Sequence, residues 1–201
     1  LRRSRAIGES VRAAIKVPGL KPRLKHLKRR AQATSDLRDL DVFLESLGEA
    51  PPPLTSRSRQ ALERWLLTRR DEAHAALCQQ LSDPDYAEAM QDWRDFIGSR
   101  HLEKALAALS PKRIATVLTE RIDRHDQTLA ALTPESDDET LHDLRKAVKR
   151  IRYLAELEPR RHRDFLSGLK HRQRLLGDFQ DLCSRQAWIE AFAASSSNAP
   201  R

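Results

Sequence analysis

Residues 141–156, LHDLRKAVKRIRYLAE, separate apolar from cationic side chains when they are placed on an α-helix. One side of that helix carries Leu144, Ala147, Val148, Ile151, Leu154 and Ala155. The opposite side carries His142, Arg145, Lys146, Lys149, Arg152 and Tyr153, with Arg150 at its margin. The pattern predicts a helix whose apolar side packs into a helical bundle and whose cationic side remains accessible.

The cationic side of this helix has few carboxylates to balance its charge. Asp143 lies at its edge, and Glu156 follows at its far end. Like charges three or four residues apart repel each other, so a purely structural face would intersperse glutamate with lysine. A solvated basic face is the simple alternative. Unpaired cations are expected where a ligand supplies the anions, and arginine forks together with lysine point charges suit phosphate groups.

The chain as a whole is strongly basic. Its 201 residues carry a formal net charge of +8, with a sequence pI of about 9.9, which favours a partner such as nucleic acid, an anionic membrane surface or polyphosphate. The sequence contains no long apolar run and no signal peptide, which predicts a soluble, cytoplasmic protein without membrane contact. Cys78 and Cys183 are too far apart for a metal or redox motif and fit a reducing compartment.

Helix-forming residues dominate, and prolines with capping residues divide the chain into about seven or eight predicted helices. We expect an all-α fold of two antiparallel bundles of the four-helix type. The predicted sub-bundles are 1–97 and 111–195, with a loop at residues 50–53 and a disordered tail at 196–201. One helix is predicted over 22–47, with a dent near Thr34 and Ser35, and 98–110 has no firm assignment. Because the chain starts within a predicted helix, we expect a domain that is truncated at its N-terminus.

An internal repeat accompanies this division. Residues 27–28 and 36–40 match residues 169–170 and 178–182 at an offset of 142 residues. Residues 1–5 match residues 148–152 at an offset of 147, and the difference between the offsets fits one change in loop length. Because the matches occur in the same order in both halves, we predict two bundles related by a pseudo-two-fold axis.

Further basic positions are predicted to share the polyanion site. The repeat equates Lys28 with Lys170, and it makes the basic start of the chain the remainder of a second cationic helix. The complete predicted set of polyanion-binding residues is Arg2, Arg3, Arg5, Lys25, Lys28, Arg29, His142, Arg145, Lys146, Lys149, Arg150, Arg152, Tyr153, Lys170 and Arg174.

The sequence gives little support to other chemistries. It has no helix-turn-helix or zinc-finger pattern, and no aromatic residues alternate with the cations for base stacking. It also lacks a nucleophile elbow, an acid pair and a Gly-rich phosphate loop. The histidines form no short ligand pair, and cations flank both His142 and His171. We therefore predict no catalytic residue, no metal and no cofactor.

The motif His142-x-x-Arg145-Lys146-x-x-Lys149-Arg150-x-Arg152-Tyr153 resembles the hallmark helix of the CHAD family, the conserved histidine α-helical domain. Residues 169–181, LKHRQRLLGDFQD, resemble the later helix of that family, and 38–42, RDLDV, resemble the corresponding site of its first half. The resemblance covers nearly the whole chain. It implies two four-helix bundles whose cationic helices face a central groove or pore. The family histidine that corresponds to His142 in the first half would precede Leu1.

The resemblance implies binding of inorganic polyphosphate and localisation at polyphosphate granules. Together with the residues, it predicts a non-catalytic polyphosphate-binding protein rather than an enzyme, with nucleic acid as a weaker polyanion partner. Two alternatives stay open. One is a helical protein whose function is to bind nucleic acid. The other is an accessory domain of a triphosphate or polyphosphate hydrolase, because some members of the family are fused to triphosphate-tunnel phosphatase domains.

Overall fold

The regular secondary structure of the described chain is helical. The computed structural model describes residues 1–49 and 54–197, and each regular element in these ranges is an α-helix. The helices are α1 (Arg2–Ala14), α2 (Leu20–Gln32), α3 (Ser35–Glu49), α4 (Ser56–Leu81), α5 (Pro84–Ile97), α6 (Arg100–Leu106), α7 (Pro111–Ala130), α8 (Asp138–Ala155) and α9 (Arg163–Ser197). The all-α prediction is confirmed for these ranges.

Two segments differ from the predicted helices. The predicted helix over 22–47 is divided into α2 and α3 at the place of the predicted dent, where the Thr34 hydroxyl donates to the Ala31 carbonyl at 2.9 Å. A hydrogen bond of this kind, from a side chain to a nearby backbone carbonyl, competes with the backbone hydrogen bonds that would continue the helix. The unassigned residues 98–110 contain α6, whose first turn is capped by the Ser99 hydroxyl accepting from the Leu102 N–H at 3.2 Å.

Two predictions concern the irregular parts of the chain. The predicted loop at 50–53 lies outside the described residues. The predicted tail at 196–201 begins within α9, which extends to Ser197, and residues 198–201 again lie outside the described part. Helix α9 therefore ends later than the sequence indicated.

The described chain forms two compact units. Unit 1 comprises 1–30 and 88–178, and unit 2 comprises the described residues of 31–87 and 179–201. This division differs from the predicted sub-bundles 1–97 and 111–195. The physical reason is that α1, from the start of the chain, packs against α7 and α8, so that burial of apolar surface joins segments from both halves of the sequence.

The apolar side of α8 forms part of the core of unit 1. Val148, Ile151 and Leu154 are almost completely buried and belong to one cluster with Ile114 and Leu118 of α7. Burial of one such aliphatic side chain contributes about 1.5–3 kcal/mol. This packing fixes the rotation of α8 and thereby decides which of its side chains remain outside the core.

Unit 2 has its own apolar core. Leu40 and Phe43 of α3 pack with Leu62 and Leu66 of α4. The Trp65 ring contacts Trp188 edge-on, with 6.0 Å between the ring centroids. None of the predicted binding residues belongs to unit 2, so the candidate site is described within unit 1.

Candidate polyanion-binding site

Helix α8 has the two sides that the sequence predicted. Leu144, Val148, Ile151, Leu154 and Ala155 are buried. Six residues on the opposite side are half-buried, namely His142, Arg145, Lys146, Lys149, Arg152 and Tyr153. Arg150, at the margin of that side, is exposed. The cations are therefore partly covered by their neighbours, and an anion bound among them would be partly shielded from water.

The start of α8 is set by a capping interaction. The Asp137 carboxylate accepts from the Thr140 N–H at 2.8 Å, and hydrogen bonds from the side chain of Thr140 and from its backbone lower the pKa of Asp137. Asp138 and Glu139 follow in the first turn, where negative charge complements the positive end of the helix dipole. The same acidic turn places carboxylates next to the first cations of the helix.

Two cations of α8 are paired with carboxylates, which corrects the expectation of an almost uncompensated face. The Lys146 ammonium contacts Asp143, three residues earlier, and Glu139 at 3.4 Å. The hydrogen bond with Asp143 raises the pKa of Lys146, and the same bond lowers the pKa of Asp143. Arg152 forms a second pair with Glu156, with 3.1 Å between Nη1 and Oε1. Intrahelical geometry explains both corrections, because side chains three and four residues apart are neighbours on a helix.

Arg145 occupies the same side of α8 without such a pair. Within the described residues, no carboxylate lies at ion-pair distance from it, and its Nε is shielded from solvent without a hydrogen-bond acceptor. Close to the end of the helix, the Arg152 guanidinium lies over the Tyr153 ring, 4.5 Å from its centroid, which holds the planar group in a defined orientation. An anion bound at Arg145 would therefore supply a negative charge that the described residues do not provide.

The basic start of the chain belongs to the same unit. Arg2 and Arg3 are exposed, Arg5 is half-buried, and the helix that carries them packs against α7 and α8. The Nε of Arg5, like that of Arg145, lacks an acceptor among the described residues. The two cationic helices, which the sequence assigned to different predicted sub-bundles, thus lie in one unit.

Arg121 of α7 is a residue that sequence reasoning missed. Its Nη1 donates to the Arg150 carbonyl at 2.9 Å. Burial lowers the pKa of Arg121, and the nearby charges of Arg150, Arg124 and Arg12 lower it further, against a smaller opposing effect of Glu9. The interleaved acids Glu120 and Asp123 make this stretch read as an ordinary solvated face; the concentration of positive charge arises from packing between helices.

The predicted basic residues of α2 fall into two groups. Lys25 and Lys28 line an open cleft between α1 and α2 with a volume of about 390 Å³, together with Arg12 and Lys21, which the sequence analysis did not select. Arg29 is exposed and is not among the residues that line this cleft. The periodicity of α2 indicated a shared face, but Arg12 could be found only through the packing of α1 on α2.

The two predicted residues of α9 are exposed. Lys170 follows the buried Leu169, and Arg174 lies one turn later, with its Nη2 3.5 Å from the Nδ1 of His171. Neither residue lines the cleft between α1 and α2. The structure thus places them on the accessible surface of unit 1 without bringing them into that cleft.

Over the described residues, no group of three or more histidine, cysteine, aspartate or glutamate side chains is arranged to hold a metal ion. Of the helices that the structure describes, none is both long enough and apolar enough to cross a bilayer. The candidate binding surfaces are the cationic side of α8 and the cleft between α1 and α2.

Comparisons with known proteins bear on these surfaces. A model of the CHAD domain family matches residues 1–190, a range that contains every predicted binding residue. A search of curated proteins found no match to this chain.

Proposed function

We propose that this chain, because it belongs to the CHAD domain family, binds inorganic polyphosphate through the cationic side of α8. The observation that supports the proposal most directly is the state of Arg145. This residue is half-buried, its helix is fixed by a buried apolar side, and no carboxylate neutralises it within the described residues. A phosphate group would supply the missing charge and the missing hydrogen-bond acceptors.

The proposed mechanism is electrostatic. Arginine forms two parallel hydrogen bonds to phosphate oxygens, and lysine adds a point charge. Lys149 and Arg150 lie on the same helix as Arg145, so successive phosphates of one chain would meet successive cations. Each phosphate held by a cation releases counterions, so the affinity should fall with salt, as it does for proteins that bind nucleic acid. It should also rise with the length of the polyphosphate, since a longer chain reaches more cations.

Titration with phosphate oligomers of graded length, at two salt concentrations, tests this proposal. We expect the dissociation constant to decrease with chain length and to increase with salt. A protein that binds long polyphosphate no more tightly than orthophosphate would contradict the mechanism. The Arg145→Ala variant should bind more weakly, whereas a double variant of the exposed lysines Lys104 and Lys112, which lie on other helices of unit 1, serves as the control.

Two alternative functions give different results. If the chain primarily binds nucleic acid, duplex DNA should displace long-chain polyphosphate at equal phosphate concentration. If it takes part in hydrolysis as an enzyme, incubation with polyphosphate should release phosphate over hours, with or without magnesium, and a His142 substitution should abolish the release. We propose that neither result occurs, because base-reading features and a recognisable catalytic constellation are missing from the sequence.

We also propose that the internal repeat equates α1 with α8. The packing of α1 against α8 supports this, and so does the matching environment of Leu27 and Leu169, which are both buried and both followed by an exposed lysine. The correspondence weakens further along, where Leu40 is 1% exposed and Leu182 is 59% exposed. In the cell, we propose a cytoplasmic location at polyphosphate granules, which a fluorescent fusion imaged together with a polyphosphate stain would test.

A further inference from the structure

The cleft between α1 and α2 brings together cations that do not belong to α8. Four cations line it, namely Arg12, Lys21, Lys25 and Lys28, and Glu9 is the one carboxylate among its lining residues. Glu9 accepts hydrogen bonds from Nε and Nη2 of Arg12 at 3.2 and 2.9 Å. Within the described part of the chain, no carboxylate pairs with the three lysines. Three positive charges of the cleft therefore remain without a counter-charge from the protein.

Close packing holds the two walls of this cleft together. Leu20, Leu24 and Leu27 anchor α2 in an apolar cluster that includes Val11 of α1. The Leu24 side chain reaches the backbone of α1 at Gly8, where an added Cβ would lie 2.6 Å from Leu24 Cδ2. Glycine at this position therefore leaves room for the Leu24 side chain, and this apolar packing joins the two walls of the cleft.

The backbone of α2 adds to the positive potential of the cleft. Lys21 lies in the first turn of α2, and this turn contains no acidic residue. The N–H groups at the start of a helix carry partial positive charge, which the dipole of the helix reinforces. An anion near Lys21 would therefore be attracted by the helix terminus as well as by the ammonium group.

The cleft also lies close to the cations of α7 and α8. Arg12, which lines the cleft, and Arg150 of α8 are both near enough to Arg121 to lower its pKa. The Arg121 side chain is in turn bonded to the Arg150 backbone. One polyanion could thus contact both surfaces, and Glu9, the carboxylate that acts on Arg121, is engaged by Arg12.

We propose that the cleft between α1 and α2 is a second phosphate-chain site, so that one molecule binds two short oligophosphates or two segments of one long polyphosphate. This inference rests on the proposed binding of polyphosphate at α8. Linking two modest sites through one ligand raises the overall affinity by about 10²–10⁴-fold over a single site. The second site would therefore discriminate long polyphosphate from short oligophosphates and orthophosphate.

Calorimetric titration of the whole chain with tripolyphosphate and with long-chain polyphosphate tests the inference. The test variant is Lys21→Ala with Lys25→Ala, and the matched control is Lys104→Ala with Lys112→Ala, which removes the same charge from exposed positions outside both surfaces. The wild type and the control should bind two tripolyphosphate ions, and the test variant should bind one. For long polyphosphate, the test variant should lose on the order of 10²-fold in affinity.

The outcomes separate the two proposals. A wild type that binds a single tripolyphosphate ion, or a test variant that still binds two, overturns the second site while leaving α8 as the polyphosphate-binding surface. A wild type that binds neither ligand overturns the proposed function itself. The Glu9→Gln variant gives an independent check, because removal of the carboxylate releases Arg12 and should tighten the weaker-bound tripolyphosphate several-fold; weaker binding would contradict the assignment of the cleft.

Discussion

Replacement of Arg145 with alanine should weaken polyphosphate binding more than replacement of Lys146, although both residues lie on the same side of α8. Lys146 is already paired with Asp143 and Glu139, whereas Arg145 has no such partner within the described residues. A hydrogen bond to a charged group contributes about 1.5–3 kcal/mol, and about 1.4 kcal/mol corresponds to tenfold in Kd. Arg145→Ala should therefore cost about 10- to 150-fold in affinity.

The loss of affinity for Lys146→Ala should stay below about fivefold. Phosphate must first displace the carboxylates of Asp143 and Glu139, which already pair with Lys146 at the protein surface. Calorimetric titration with long polyphosphate at several salt concentrations measures both effects. The slope of log Kd against log salt should fall by about one for Arg145→Ala, as for the loss of one phosphate contact. Equal losses in the two variants, or a larger loss for Lys146→Ala, would refute the reasoning that ion pairing within α8 decides which cations bind.

Three further predictions concern α8. Ile151→Ala, at a side chain that is 2% exposed, should lower the free energy of unfolding by about 2–5 kcal/mol in guanidinium titration, and a loss no greater than that of the exposed Arg150→Ala would contradict the two-sided helix. Asp143→Asn should tighten polyphosphate binding several-fold in calorimetry because it releases Lys146, so an unchanged or weaker affinity would speak against competition by this carboxylate. Asp137→Ala should lower the melting temperature at neutral pH. Because hydrogen bonds from the side chain and the backbone of Thr140 lower the pKa of Asp137, the contribution of this cap to stability is present above the ordinary carboxyl pKa and is lost as the pH falls through the lowered value. The difference between variant and wild type should therefore vanish in strong acid, and a difference that persists there would exclude the charged cap as its cause.

The two sides of α8 could be predicted because helical periodicity is a local property. Residues three and four apart share a side in any α-helix, so the separation of Leu144 and Ile151 from Arg145 and Lys149 was present in the order of the residues. The pairing of Lys146 with Asp143 follows from the same spacing. The sequence analysis placed Asp143 at the edge of the cationic side and did not count it as a partner.

The sequence predicted a dent near Thr34 and Ser35 where the structure has a complete break between α2 and α3. Propensity favours helix throughout residues 22–47, and the chain turns at Thr34, where the hydroxyl of that residue bonds the Ala31 carbonyl. The presence of α6 was missed for a related reason, since a helix of seven residues is too short to produce a clear periodic pattern.

By itself, the sequence determined the helical class, the resemblance to the CHAD family and the cationic side of α8, because composition, motif and periodicity are readable along the chain. The tertiary structure decided that α1 packs with α7 and α8, that Arg121 bonds the Arg150 backbone, and that Arg12 lines one cleft with Lys21, Lys25 and Lys28. These relations join residues on different helices, and burial of apolar surface selects them. No periodicity within a single helix contains that information.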